Sequence, residues 1–148
     1  MRISQSVRAF TLSAITASLL VTPGYAQGSG AGVSGVVATC APIIDQELKG
    51  DHTRWGQCVG AVADYVKAIG APSASSDPQL ADLVIELAKL FQKNPVCRFD
   101  KTELPLAIKT AAQASLDRKQ RARIVEVALT ISDCVNLQTA EINSASPF

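Results

Sequence analysis

An apolar stripe with a helical period recurs along this chain and constrains its fold more than any other feature. From residue 51 onwards, apolar residues return at i, i+3, i+4 and i+7, and they do not alternate long enough to indicate a β-strand. Four such segments follow one another, and a shorter helical piece precedes them. The pattern predicts an all-α domain, a bundle of four to five amphipathic helices. The predicted helices are 42–49, 53–69, 77–93, 102–115 and 117–136.

Turn and cap residues set the predicted boundaries. Asp77-Pro78 supplies an N-cap followed by proline at the first helical position, and Asp117 caps the last helix in the same way. Gly70 closes the 53–69 segment. Trp55 heads the stripe of that segment, so it is expected to face inward.

The N-terminus reads as an export signal. Arg2 and Arg8 precede an uncharged apolar run over 9–21, and Gly24-Tyr25-Ala26 offers the small residues that a signal peptidase recognises. The run is too short to span a bilayer. Cleavage after Ala26 would release a soluble periplasmic or secreted protein. The predicted organisation is a signal peptide (1–26), a flexible Gly/Ser-rich segment (27–35), a helical domain (36–136) and a mobile tail (137–148).

Four cysteines follow the predicted signal, and an oxidising compartment favours disulfides. They are expected to form two disulfides, although zinc binding is the competing interpretation. Antiparallel neighbours would gather all four at one pole, with the end of 77–93 beside the start of 53–69. That geometry favours Cys58–Cys97 with Cys40–Cys134, and Cys40–Cys58 with Cys97–Cys134 is the main rival.

Catalytic chemistry has little support in the sequence. His52 is the only histidine, and it is either a general base oriented by Asp51 or Asp45, or a solvated residue of a turn that Asp51 caps. No nucleophile motif accompanies it. The carboxylates offer no better case, because Asp45 with Glu47, and Asp100 with Glu103, have the spacing of exposed turn and cap residues. We therefore expect a protein that is not an enzyme and that carries no cofactor or metal.

Charge singles out one further segment. The chain has a net charge of +1, and loss of Arg2 and Arg8 would leave it close to neutral, which gives no general attraction for nucleic acid or anionic lipid. Yet four cations crowd the start of the last helix, at the pole opposite the cysteines and beside the 70–76 loop. They are either a binding site for an acidic partner or a solvated helix start. These candidate binding residues are Arg118, Lys119, Arg121 and Arg123.

Three stretches resemble a known family. They are Cys58-Val59-Gly60 at the start of an amphipathic helix, Cys97 followed by Thr102, and the run from Ala128 to Cys134. This order is similar to the Tai-type immunity proteins of type VI secretion, small exported helical proteins that block peptidoglycan amidases. The chain departs from them in its Gly60–Tyr65 run and in an additional long helix at 77–93, and the residues that plug the amidase do not map onto it.

Two functions follow as expectations. The first is a protein-binding module, an inhibitor or immunity protein of an envelope hydrolase, present as a monomer or a homodimer. The second is an acid-stress chaperone or structural protein of the periplasm, to which the chain is similar in size, export and helicity. A chaperone of that kind would loosen its fold at low pH and expose apolar faces.

Overall fold

The computed structural model describes residues 32–93 and 98–133. Within these ranges the chain forms five α-helices and one short 3₁₀ turn, with no β-strand, which confirms the predicted all-α class. The elements are α1 (Val33–Leu48), α2 (Gln57–Ala68), α3 (Asp77–Lys93), the 3₁₀ turn (Phe99–Lys101), α4 (Leu104–Ala114) and α5 (Arg118–Ser132).

Predicted caps locate α5 well. A carboxylate oxygen of Asp117 accepts the backbone N–H groups of Lys119, at 2.7 Å, and of Gln120, at 3.4 Å. This satisfies two of the N–H groups that every helix start leaves without a partner. Helix α3 also begins at the predicted residue, Asp77. Its carboxylate accepts hydrogen bonds from residues 115–117.

The first helix corrects the prediction. It begins at Val33 rather than at Pro42, so it includes 33–35 of the segment expected to be flexible and precedes the predicted domain start at 36. Its buried stripe of Val36, Cys40, Ile43 and Ile44 runs continuously past Pro42. Pro42 lies on the exposed side of the helix. Burial of the stripe therefore outweighs the hydrogen bond that proline removes.

Several predicted features fall outside the described residues. These are the signal peptide (1–26), the flexible segment up to residue 31, the tail (137–148), the helix end near Asn136, Cys97 and Cys134.

Helix pairing differs from the assumption of antiparallel neighbours. Helix α2 packs mainly against α1 and α4, and α3 packs against α1, α4 and α5. The assumed antiparallel pairing of α2 with α3 is therefore wrong. Residues 69–76 join the two helices, and each of them packs mainly against other helices.

The core is continuous through all five helices and the 3₁₀ turn. Phe99 of the turn is fully buried, and its ring meets that of Phe91 edge to face with centroids 4.9 Å apart. Burying one phenylalanine contributes about 2–3 kcal/mol. The turn is thus tied into the core immediately before α4. Among the described residues, no helix combines the length and apolar character that crossing a membrane requires.

Candidate functional site

A disulfide joins α1 to the first turn of α2. Cys40 and Cys58 are bonded to one another, and both are fully buried. The favoured pairing of Cys58 with Cys97 and of Cys40 with Cys134 is therefore wrong. The physical reason is the helix pairing, because α2 packs against α1 and not against the end of α3. The bond fixes the start of α2, where the loop from α1 arrives.

A buried carboxylate holds the same helix start from the other side. Glu103, the residue before α4, is fully buried, and its side chain accepts three backbone N–H groups. Oε2 accepts from Gly56 at 3.0 Å and from Val59 at 3.2 Å, and Oε1 accepts from Cys58 at 3.4 Å. Glu103 therefore caps α2 across the tertiary structure, where a negative charge also complements the helix dipole.

A second buried carboxyl group lies against the first. Glu47 is 3% exposed, and its Oε2 accepts the backbone N–H of Glu103 at 2.9 Å. Its Oε1 is buried and has no hydrogen-bond partner. Burial raises the pKa of Glu47 above 4.5, and the nearby Glu103 charge acts in the same direction, while the backbone hydrogen bond and His52 oppose it. The expectation that Glu47 and Glu103 are exposed is wrong.

A cleft of about 290 Å³ opens beside this carboxyl pair. We call it the Glu47 cleft. One wall is the end of α1, where Gly50 adopts φ = 88° and its N–H donates to the Glu47 carbonyl at 2.9 Å, as in other glycine-terminated helices. The opposite wall is the 3₁₀ turn. The cleft is lined by Glu47, Leu48, Lys49, Gly50, His52, Arg98 and Lys101.

Trp55 stands out at this end of the molecule because it is 51% exposed. It precedes Gly56, whose φ of 89° ends the extended loop and delays the start of α2 to Gln57. The predicted inward orientation of Trp55 is therefore wrong. The Trp-Gly sequence carried a signal for this result, because glycine readily adopts the left-handed conformation that interrupts a helix.

His52 lies on the surface next to Trp55, with ring centroids 5.7 Å apart and an edge-to-face arrangement. The Asp51 carboxylate accepts the backbone N–H of Thr53 at 3.0 Å, and this hydrogen bond lowers the pKa of Asp51. Asp51 thus shapes the turn, which matches the interpretation of His52 as a solvated turn residue.

The predicted basic cluster lies at the other end of α4. All four cations are exposed, and the Arg121 guanidinium also donates to the Ser115 carbonyl that ends α4. At least one of the four cations therefore has a structural role. The cluster remains a candidate binding surface.

Asp77 organises that end of the molecule. Its carboxylate accepts Oγ–H of Ser115 at 2.9 Å and the backbone N–H groups of Leu116, at 2.8 Å, and Asp117, at 3.0 Å. The Gln120 side chain donates to the Asp77 carbonyl at 2.6 Å. These bonds place the start of α5 beside the end of the 70–76 loop, as the helix order predicted.

Within 32–93 and 98–133, no three His, Cys, Asp or Glu residues are grouped closely enough to hold a metal ion. No protein-family model, curated protein or solved structure matches this chain. The support for a function therefore comes from the geometry of the chain itself. A tryptophan and a partly cationic cleft lie at the disulfide-linked end of the bundle.

Proposed function

We propose that this chain is an exported, non-enzymatic protein-binding module that docks on another envelope protein through the loop 52–56, here called the Trp55 loop. The observation that carries the proposal is a half-exposed tryptophan whose backbone is fixed by hydrogen bonds. Tryptophan is the residue most enriched among those that dominate binding energy, because a large rigid ring loses little entropy when it is covered.

The backbone around Trp55 is fixed by hydrogen bonds on both sides. Its own N–H donates to the His52 carbonyl at 3.1 Å, and the next N–H, of Gly56, donates to Glu103. A loop that is already ordered pays less entropy on binding than a mobile one. Leu106, which lies one turn beyond Glu103 on α4, is also 47% exposed and adds apolar surface at the same end of α4.

The surroundings of His52 support a non-enzymatic role. A nucleophilic mechanism needs a hydroxyl or thiol within hydrogen-bond reach of the base, and a third group to orient that base. In the described part of the chain, the His52 ring packs against Trp55, and the Asp51 carboxylate accepts the Thr53 N–H. Glu47 also acts electrostatically on His52, and among the described residues no hydroxyl or thiol side chain lines the cleft that these two residues share.

Export and a second disulfide belong to the same proposal. The N-terminal pattern directs the chain to the periplasm or the medium, where thiols oxidise. Because Cys40 and Cys58 are bonded to each other, Cys97 and Cys134 are left as the remaining pair. The resemblance to Tai-type immunity proteins makes an envelope hydrolase the first partner to test.

The alternative, an acid-stress chaperone, needs a fold that loosens on acidification. Glu47 contributes in the opposite sense. Its pKa is raised in the folded protein, so proton uptake at Glu47 stabilises the fold as the pH falls. The lowered pKa of Asp51 acts in the other direction, so the two acids make opposing contributions, and the support for the binding module is the geometry of the Trp55 loop.

The test is capture of a partner from envelope extract at neutral pH, using the oxidised exported protein and two matched variants. Trp55→Ala removes the proposed anchor, and Leu116→Ala removes a side chain with similar exposure, 54%, at the opposite end of α4. We expect one stoichiometric partner that is lost with Trp55→Ala and kept with Leu116→Ala. Inhibition of a captured hydrolase would then be measured directly.

Other outcomes have equally clear meanings. Loss of the partner with Arg118→Gln/Lys119→Gln, but not with Trp55→Ala, would move the docking surface to the basic cluster. Many unfolded clients that bind only in acid would establish the chaperone instead.

A further inference from the structure

We propose that the Glu47 cleft binds an oxyanion, a carboxylate or phosphate group, between the cations of Lys49, Arg98 and Lys101. This inference goes beyond protein docking through Trp55 and does not depend on it. A small anion could bind in the cleft even if no protein partner exists.

The first argument is the charge of the cleft. Lys49, Arg98 and Lys101 are exposed at its edge, and none forms an ion pair or side-chain hydrogen bond with the residues that the structure describes. The cleft is thus lined by three such cations and one carboxyl group. Like charges around a concave surface reinforce one another's field and concentrate anions there. Arginine and lysine are the side chains that bind carboxylate and phosphate oxygens most strongly.

The second argument is the unpartnered oxygen of Glu47. A buried polar atom without a hydrogen bond is costly and therefore requires an explanation. Because Oε2 already accepts the Glu103 N–H, a proton on the Glu47 carboxyl belongs on Oε1. Within the fold, the acceptor for the resulting O–H group is the Glu103 carboxylate, since a side-chain hydrogen bond with Glu103 contributes to the raised pKa of Glu47. An oxyanion in the cleft would offer this O–H group a second acceptor, and the cations would balance the charge of the anion.

Proton uptake should accompany binding. The charged groups that act on the Glu47 carboxyl are Glu103 at the start of α4 and His52 in the loop after α1, and the three cations line the same cleft. Burial and Glu103 already hold the pKa of Glu47 above its ordinary value. A bound anion would raise it further, so that binding should tighten as the pH falls through the folded-state pKa of Glu47.

The experiment is an NMR titration of the ¹⁵N-labelled oxidised protein at low ionic strength. The probes are N-acetyl-Glu-Glu-amide, inorganic phosphate and the neutral N-acetyl-Gln-Gln-amide. We expect saturable shifts at Lys49, Gly50, His52, Arg98 and Lys101 with one or both anions and none with the neutral peptide. The responding anion distinguishes an acidic peptide from a phosphate as the ligand.

Two pairs of substitutions remove the same charge at different ends of the molecule. Arg98→Gln/Lys101→Gln should weaken binding about tenfold, as expected for the loss of a charge-assisted hydrogen bond. Arg118→Gln/Lys119→Gln in the basic cluster should leave the affinity unchanged. Equal weakening by both pairs, or shifts spread over the whole surface, would overturn the proposal.

Glu47→Gln tests the proton-linked part. The carboxamide is neutral at all pH values and keeps an N–H donor in the position of the proposed O–H. We expect the affinity of this variant for the acidic peptide to depend less on pH than the affinity of the wild type. In His52→Gln, the contribution of Glu47 to that pH dependence should remain. An undiminished pH dependence in Glu47→Gln would remove Glu47 from the site.

Discussion

The backbone N–H of Glu103 donates to the side chain of Glu47 at 2.9 Å, which places two carboxyl groups in contact within the buried end of the bundle. Burying two acids together is unfavourable unless each has hydrogen-bond donors or a proton. Glu103 has three backbone donors from the start of α2. Glu47 has one, and its pKa is raised. The pair therefore joins the end of α1, the start of α2 and the start of α4.

Replacing Glu103 should show how much this junction contributes. Glu103→Ala leaves three backbone N–H groups without their acceptor, and we expect a loss of about 3 kcal/mol in the free energy of unfolding. Glu103→Gln keeps one acceptor oxygen and should lose less. The measurement is urea denaturation of the oxidised protein, with Glu86→Gln as the control, since the partly exposed Glu86 forms a surface ion pair with Lys89. Equal effects of Glu103→Ala and Glu86→Gln would contradict the junction.

Asp77 should have a comparable role at the other end of α4. Asp77→Asn replaces one acceptor oxygen by an NH₂ group that faces donors from residues 115–117, so we expect a loss of about 2 kcal/mol. Asp82→Asn changes an exposed aspartate of the same helix and should stay within about 0.5 kcal/mol of the wild type. Thermal and urea unfolding both measure the difference, and a neutral Asp77→Asn would refute the assignment.

Glu47 should give the stability a definite pH dependence. A carboxyl group with a raised folded-state pKa binds its proton more tightly in the folded chain than in the unfolded chain. The stability that this carboxyl group contributes is fully present below pH 4.5, its ordinary pKa. It is lost as the pH rises through the pKa of the folded state. Glu47→Gln lacks this loss, so its stability relative to the wild type should increase between pH 4 and pH 8. A difference that stays constant over this range would contradict the raised pKa.

The Cys40–Cys58 bond should stabilise the chain mainly through the loop that it closes. Cys40→Ala/Cys58→Ala is expected to lose about 3 kcal/mol, the value for a loop of this size. Non-reducing peptide mapping checks the pairing, because trypsin cleaves at Lys49 and Arg54 between the two cysteines. A Cys58–Cys97 peptide would overturn the observed pairing, and two free thiols would exclude a second disulfide.

Trp55 and Phe99 should differ sharply in what they contribute to stability. Phe99→Ala opens a cavity in the core and should cost about 4 kcal/mol. Trp55→Ala removes a half-exposed ring and should change the free energy of unfolding by about 1 kcal/mol or less. Denaturation monitored by circular dichroism suits both variants, since Trp55 is the only tryptophan. A large loss with Trp55→Ala would indicate a structural role and weaken its assignment as a binding residue.

The sequence by itself determined the helices and most of their boundaries. A helix depends on neighbours three and four residues apart, so the stripes, Asp117 and the prolines carry enough local information to locate α3 and α5. The start of α5 also lies close to Asp77, the residue that follows the 70–76 loop. The difference at α1 also has a local origin, because Pro42 marks a helix start in the sequence while the buried stripe continues through it.

Only the tertiary structure decided which helices pair, and the candidate site depends on that pairing. Cys58 bonds to Cys40 because α2 packs against α1, and Glu103 caps α2 from more than forty residues away along the chain. Glu47 and Glu103 have spacings typical of surface residues, and only their contact in the fold reveals them as buried. Hydrogen bonds and burial of this kind join residues that no local pattern relates, because they depend on distances set by the packing of the whole bundle.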